Sequence, residues 1–422
     1  MEAVETIQEE DEFEEEDEQE VPELKYDDIF EEGELGSSEG SGDEKKSSSK
    51  QLIVLSSPML VGTGIKKHTE YKVTSRHNSS APEVDVHRRY KHFEWLQTIL
   101  RKKFPGIFVP PLPPKKRIGN TDVNFVHLRQ RQLQRFLNRV FAIPLFRGEE
   151  SVSHFLTHTP SCVGLYDDIC NRMTKDVLAE TLQETKQRYE KLFPSLASQH
   201  SLDTATTKAN VAALVPKLQR LVTVANAIVA DKCIAVDSSR CLGMAAINLR
   251  RAAHPVAEMV GYSELSASDD DFWANYLQSA KQEAVVFHQL LAAPFLVELW
   301  DAQAFLQAIE TRDQVFKMTT HLCQESAKWK QEDQHNDLTD QDKKQREIDQ
   351  QAEEDAKDLL YRVTTALLHK QLPDFWRFRM ARFRSTMHAF AKEQLDNTKT
   401  LVDMWGEAVN NAKNVQVQIS RD

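Results

Sequence analysis

Basic side chains between Gln51 and His158 gather in three clusters on separate stretches of chain. They are His87-Arg88-Arg89-Tyr90-Lys91, then Lys115-Lys116-Arg117 after a proline-rich run, then Arg129, Arg131, Arg135 and Arg139 along a helical pattern. A guanidinium fork donates two parallel hydrogen bonds to phosphate oxygens, an ammonium supplies a point charge, and an aromatic ring beside them offers a face for a sugar-like ring. One such cluster alone is an ordinary solvated face; three from different elements together fit an inositol phosphate headgroup. Catalysis has little to stand on. No GxxxxGKS loop, HExxH or GxSxG motif is present, and the 14 His are scattered, with His87, His92, His127 and His154 reading as surface or packing residues. The five cysteines (162, 170, 233, 241 and 323) form no CxxC and read as reduced thiols rather than a disulfide or zinc framework. No enzyme activity, metal or cofactor is expected.

The formal net charge of −12 must be divided along the chain before it is used. Residues 1–50 hold 21 acidic against 4 basic side chains, whereas residues 51–158 hold 18 basic against 7 acidic, leaving −6 for the rest. A basic module of net +11 therefore lies between an acidic tail and a mildly acidic remainder. Nucleic acid is not an expected partner, because the chain is acidic overall and the basic clusters lack a stacking platform. No run of about 18 to 20 apolar residues is present, and the N-terminus lacks the basic and apolar parts of a signal peptide, so a soluble, cytosolic chain is expected.

The elements that must position these residues follow from periodicity. Residues 1–50 cannot bury enough apolar surface to offset chain entropy and read as a disordered acidic tail, either a solubilising segment or an electrostatic lid and phosphorylation target around Ser37, Ser38 and Ser41. From about 52 to 90, three short strands alternate with turn residues. Phe93, Leu96, Leu100 and Phe104 then make one helical stripe, FPGIFVPPLPPKKR must be extended, and helix returns with Leu133, Phe136, Leu137, Val140 and Phe141 on one face. Beyond about 165 the pattern is helical almost throughout, in blocks near 204–253, 269–335 and 347–411, with Pro216, Pro294 and Pro373 expected to bend them. Helices this long with wide apolar faces need a second copy or a relative to complete their burial, so a dimer is expected. The expected division is tail 1–50, basic module 51–160, linker 161–203, helical domain 204–412 and a C-terminal tail 413–422.

RRYKHFEWL, then FVPPLPPKK, then NFVHLRQRQLQRFLNRV with Pro144 resembles, in order and spacing, the phox-homology (PX) domain. The helical region, through AQAFLQAIETRDQVF and FWRFRMARFRSTMHAFAKEQLDNTKTLVDMWGEAV, resembles a BAR domain, and residues from about 50 to 412 together resemble a PX-BAR sorting nexin. The resemblance implies an α+β PX domain, with a three-stranded antiparallel sheet and a helical subdomain, followed by an all-α elongated three-helix BAR coiled coil. It implies a pocket for phosphatidylinositol 3-phosphate in which Arg89 clasps the 3-phosphate and Tyr90 packs beneath the ring. Lys115 takes the 1-phosphate and Arg129 bonds the ring hydroxyls. Position 91 lines the phosphate site and is often Ser in this family; Lys91 adds a cation there that could accommodate a more highly phosphorylated headgroup.

The proline loop has two readings, a ligand for a PxxP-reading module or, as in PX domains, a pocket flank that dips into the membrane through Phe108 and Val109. On the BAR side the resemblance implies curvature sensing through Arg377, Arg379, Arg382 and Arg384 and, near the tip, Lys343, Lys344 and Arg346. The linker offers an amphipathic stripe of Leu165, Ile169, Met173, Val177 and Leu178, able to pack on the BAR core or to insert between lipids. The expected protein is a peripheral component of early or recycling endosomes on the cytosolic face. It would act as a homodimer, or as a heterodimer with another PX-BAR protein, and engage cargo or coat proteins. The other reading is a dimeric scaffold in endosomal or autophagic trafficking with weak or non-selective lipid binding.

Overall fold

The computed structural model describes residues 52–62, 68–76, 82–115, 123–159, 163–193, 203–259, 268–332 and 339–419. The acidic tail, Lys116 and Arg117 lie outside the described residues. Three strands, β1 (Leu52–Val61), β2 (His68–Arg76) and β3 (Val84–Arg89), form an antiparallel sheet in the order β1-β2-β3, with a bulge in β1 between Ser56 and Met59. Alternation along the strands sends Ile53, Leu55, Tyr71, Val73 and Val86 inward. There they meet Phe93, Leu96 and Leu100 of α1 (Tyr90–Lys103) and Leu133, Phe136, Leu137 and Val140 of α2 (Val123–Ala142). Short helices α3 (Pro144–Arg147) and α4 (Glu150–Thr157) close this core with Phe146 and Phe155.

Two linker helices follow, α5 (Val163–Ala179) and α6 (Leu182–Leu192), the second started by a reciprocal cap between Thr181 and Glu184. The remainder is three long helical rods. The first is α7 (Thr204–Met259). The second is α8 (Ser268–Phe287) continued by α9 (Ala293–Glu332), and the third is α10 (Asp340–Thr365) continued by α11 (Leu372–Ile419). Each composite rod is joined by a π-helical turn, His288–Ala292 and Ala366–Gln371, lying just before Pro294 and Pro373. A proline removes one amide donor and crowds the preceding turn; widening that turn absorbs the defect without breaking the rod, so Ala293 N–H bonds His288 C=O and Leu372 N–H bonds Leu367 C=O. Pro216 is instead carried within α7.

The segment Asp271–Gln331 contains an 18-residue window of mean hydropathy 1.3, long and apolar enough by that measure to span a bilayer. Its Ala284, Ala292, Phe295 and Leu299 pack against Leu218, Val222, Ala225, Val229 and Val236 of α7, which accounts for the apolar character as rod-to-rod core.

The sheet domain and the rods share one interior. Val315 of α9, Leu359 and Val363 of α10 and Ala366 belong to the same apolar cluster as the sheet, and Gly106 makes the close approach possible. With φ at +75°, its backbone runs so near α10 that a Cβ there would sit 2.6 Å from Val363 Cγ1. Val109, expected to insert into a membrane, is 2 % exposed in this core. Phe108 packs on Phe375 with ring centroids 6.1 Å apart, and its N–H donates to Gln371 Oε1 at 3.2 Å. The expectation of insertion is therefore corrected: this loop meets the rods, which offer both side chains an apolar surface within the same chain.

Candidate headgroup site

Residues 88 and 89 lie on opposite faces of β3, so the run His87–Lys91 divides. Arg88 points inward and is 1 % exposed, with its guanidinium donating to the carbonyls of Phe155 (2.8 Å), His158 (2.7 Å) and His87 (2.9 Å). Tyr166 lies beneath it at 3.9 Å. It satisfies carbonyls at the C-terminus of α4, where cations are favoured, and serves the fold. Arg89 points outward at the strand-to-helix junction, where its N–H donates to His92 Nδ1 at 3.2 Å and so starts α1. Its guanidinium hydrogen-bonds the Asp167 carboxylate of α5.

The proline loop is pinned at three carbonyls. Gln97 Nε2 donates to Pro110 O at 2.8 Å, Tyr90 Oη to Pro113 O at 2.5 Å and Arg129 Nη2 to Pro114 O at 3.2 Å. Prolines cannot donate but leave their carbonyls free, so this segment accepts and α1 and α2 donate. The consequence is a fixed position for Lys115 at the end of the loop. Its exposed ammonium lies 3.0 Å from Glu94 Oε2, one turn along α1 from Tyr90. Arg129 stacks over the Tyr90 ring at 4.5 Å and is 6 % exposed, and burial pushes the Tyr90 hydroxyl up to about 12. Five cationic or aromatic side chains from β3, α1, the loop and α2 thus fall into three groups: Arg89 and Lys91 at Asp167, Tyr90 under Arg129 with both bonded to the proline loop, and Lys115 at the end of that loop beside Glu94.

Asp167 was not foreseen, and His92, read from sequence as a surface or packing residue, is buried beside it. Asp167 Oδ1 accepts from His92 Nε2 at 3.1 Å and lies 3.8 Å from Lys91 Nζ. It comes from α5, whose docked face is Tyr166 and Cys170, one turn apart, with Trp95 Nε1 donating to Cys170 O at 3.0 Å. The stripe expected from Ile169, Met173, Val177 and Leu178 is not that face: Leu178 is 62 % exposed and the other three are half-buried, while the side chain of Leu165 lies outside the described residues. The helix packs on α1.

Burial, aided by the charges of Arg88 and Arg89 and opposed by Asp167, pushes the His92 imidazole down to about 4. An unfolded histidine titrates near 6.5, so between about pH 6.5 and 4 the unfolded chain holds a proton that the folded chain refuses, and stability falls as pH drops through that window. His92→Gln keeps an acceptor for Arg89 N–H and a donor for Asp167. It is expected to remove up to about one proton from this dependence, roughly 1.4 kcal/mol per pH unit, measured by urea unfolding between pH 7 and 5. An identical slope in the variant would refute the assignment.

The basic residues assigned to the rods separate into two groups. Arg377 and Arg384 of α11 and Lys343 and Lys344 of α10 are exposed, although Arg377 pairs with Asp374 at 3.4 Å and Lys343 with Asp340 at 3.6 Å. Arg346 lies over the Trp329 ring at 4.9 Å. Arg379 and Arg382, in contrast, turn inward: Arg379 Nε is 2.6 Å from Glu298 Oε2, and Arg382 lies 2.7 Å from both Glu298 Oε1 and Asp301 Oδ2. Both arginines are corrected from membrane contacts to internal ion pairs, because buried carboxylates on α9 demand cations. Arg139 of α2 joins the same group at 2.6 Å from Asp301 Oδ1.

Residues 76–159 match the PX domain family. The chain superimposes on the cryo-EM structure of the SNX-BAR Mvp1 tetramer with a TM-score of 0.56 at 16 % identity, over 85 % of this chain and 99 % of that one. A PX-type module thus precedes long helices that share the fold of the SNX-BAR Mvp1 structure. Its PX region is 38 % identical over 94 residues to mouse sorting nexin-18, covering 22 % of this chain and 15 % of that protein. It is 43 % identical over 99 residues to sorting nexin MVP1 of Kluyveromyces lactis, covering 22 % and 19 % respectively. The chain thus spans less than a fifth of the length of these relatives. The helical rods carry the BAR fold at a level of identity where fold alone is shared, and the α+β sheet domain followed by long helices is the architecture expected from sequence.

Proposed function

We propose that this chain is a peripheral membrane protein of endosomal trafficking. Its PX domain binds phosphatidylinositol 3-phosphate through Arg89, Tyr90, Lys91, Lys115 and Arg129, and its BAR rods dimerise and engage curved membrane. The observation that carries the headgroup reading is the stack of Arg129 on Tyr90 next in sequence to Arg89, which already holds an oxyanion, the Asp167 carboxylate. Arg89 fits the 3-phosphate, Lys115 fits the 1-phosphate, and Arg129, held over the tyrosine, fits the ring hydroxyls. Self-association is supported by large apolar side chains left open along the rods, among them Leu249 (73 % exposed), Phe378 (68 %) and Val402 (63 %), and by the tetrameric state of the Mvp1 structure. Membrane contact by the rods is carried by Lys343, Lys344, Arg377 and Arg384. Each such cation is worth about 1 kcal/mol at an anionic surface, so the PX pocket supplies the selectivity.

Vesicle co-sedimentation tests the reading. The full chain is expected to sediment with vesicles containing phosphatidylinositol 3-phosphate and to stay in solution with matched vesicles containing phosphatidylinositol. Equal partition onto both would favour the scaffold with non-selective lipid binding.

A further inference from the structure

We propose that Asp167 is a specificity residue of the headgroup pocket: its carboxylate occupies the groups that receive the ring phosphate, and a ligand must displace it. The assignment rests on the headgroup reading above and adds the residue that sets how much charge a ligand must bring.

Three donors from two elements converge on this one carboxylate: the Arg89 guanidinium, His92 Nε2 at 3.1 Å and Lys91 Nζ at 3.8 Å. Both carboxylate oxygens are engaged, one by Arg89 and the other by His92 and Lys91. Yet Arg89 Nε is buried with no hydrogen-bond partner. With its other oxygen held by His92 and Lys91, Asp167 satisfies the fork of Arg89 through one nitrogen only. A phosphate monoester has three terminal oxygens and close to two negative charges near pH 7, so it can take Nε and Nη2 together and still face Lys91 and His92.

The competition has a direction. Asp167 is tethered, so it meets Arg89 at high effective concentration. A phosphodiester, with a single charge, brings Arg89 no more charge than the tethered carboxylate already does and is held off. A monoester offers both an extra charge and the missing acceptor. The linker helix need not leave with the carboxylate, because Tyr166 remains under Arg88 at 3.9 Å and Trp95 remains bonded to Cys170 O at 3.0 Å. Rotation of the half-buried Asp167 side chain vacates the pocket.

The experiment uses the full chain carrying Asp167→Asn, with Asp168→Asn as a control of equal charge change at the exposed neighbouring position. Binding is measured on vesicles containing phosphatidylinositol 3-phosphate, phosphatidylinositol or phosphatidylserine, and by calorimetry on soluble inositol 1,3-bisphosphate. Asp167→Asn is expected to tighten binding to the 3-phosphate vesicles and to the soluble headgroup by about tenfold, and to raise retention on vesicles bearing only phosphodiesters. Asp168→Asn is expected to stay within about twofold of wild type throughout. Unchanged or weaker binding by Asp167→Asn overturns the assignment. So does a gain confined to vesicles and absent with the soluble headgroup, since that marks general repulsion from the bilayer. Should wild type and Asp167→Asn alike ignore the 3-phosphate in both assays, the headgroup reading itself fails. If wild type binds and Asp167→Asn matches it, only the role of Asp167 is lost.

Discussion

Arg89→Ala is expected to lose about a hundredfold in affinity for phosphatidylinositol 3-phosphate vesicles, on the order of 3 kcal/mol, while the chain stays folded. The size follows from the kind of contact removed. Truncating one partner of a desolvated, hydrogen-bonded charge pair costs far more than removing a charge at the rim. Arg89 is the rim's opposite, partly buried and flanked by His92 and Asp167. The fold should survive because the start of α1 uses the backbone N–H of residue 89, which alanine retains, and because Asp167 keeps Lys91 and His92. Arg89→Lys, which keeps the charge but not the fork, is expected to fall between the two. Lys115→Ala removes a point charge already paired with Glu94 at an exposed position and should cost less than tenfold. Co-sedimentation of the four proteins, with circular dichroism to confirm folding, is the measurement. Arg89→Ala sedimenting like wild type would falsify the phosphate role.

The sequence carries the architecture because period and punctuation are local. Alternation in 52–90, a helical stripe from Phe93 and three rods interrupted at Pro294 and Pro373 can each be read within one or two turns of chain, and the elements stand close to those places. The π turns were not legible in kind, since a proline announces only that a donor is missing and not how the helix absorbs the loss. The site was legible where its residues lie in one motif: Arg89 and Tyr90 sit at a strand end and helix start separated by one peptide. Asp167 was not, being 78 residues from Arg89 and placed by Tyr166 and Cys170, a face that a search for Leu, Ile, Met and Val passes over. Phe108 and Val109 failed for the complementary reason. Two apolar residues in a loop declare that they need cover, and only the fold says whether lipid or the BAR rods provide it.

The same limit sets the last expected result, which concerns two arginines in RFRMARFR, Arg377 and Arg382, that the sequence treats alike. Asp301→Ala is expected to lower unfolding stability by about 3 kcal/mol, whereas Arg377→Ala, five positions before Arg382 on α11, should change it by less than about 0.5 kcal/mol. Asp301 is 2 % exposed and receives Arg139 of the PX helix α2 at 2.6 Å and Arg382 of the BAR rod at 2.7 Å. Burial works against the Arg382 charge, but Asp301 and Glu298 outweigh it and hold its pKa above the ordinary value. Removing the carboxylate strands part of that charge in the interior, and this penalty dominates the loss of the pair itself. Arg382 keeps Glu298, and the partly exposed Arg139 can turn to water, which holds the loss at the lower end of the range for buried pairs. Arg377 is 72 % exposed with a single carboxylate neighbour one turn away, a pair that solvent already screens. Guanidinium unfolding of both variants at fixed protein concentration decides the matter. Because Asp301 joins the PX domain to the rods, its loss should also give the PX domain an earlier transition, read through Trp95. A single, unshifted transition in Asp301→Ala would show that apolar packing alone couples the two domains.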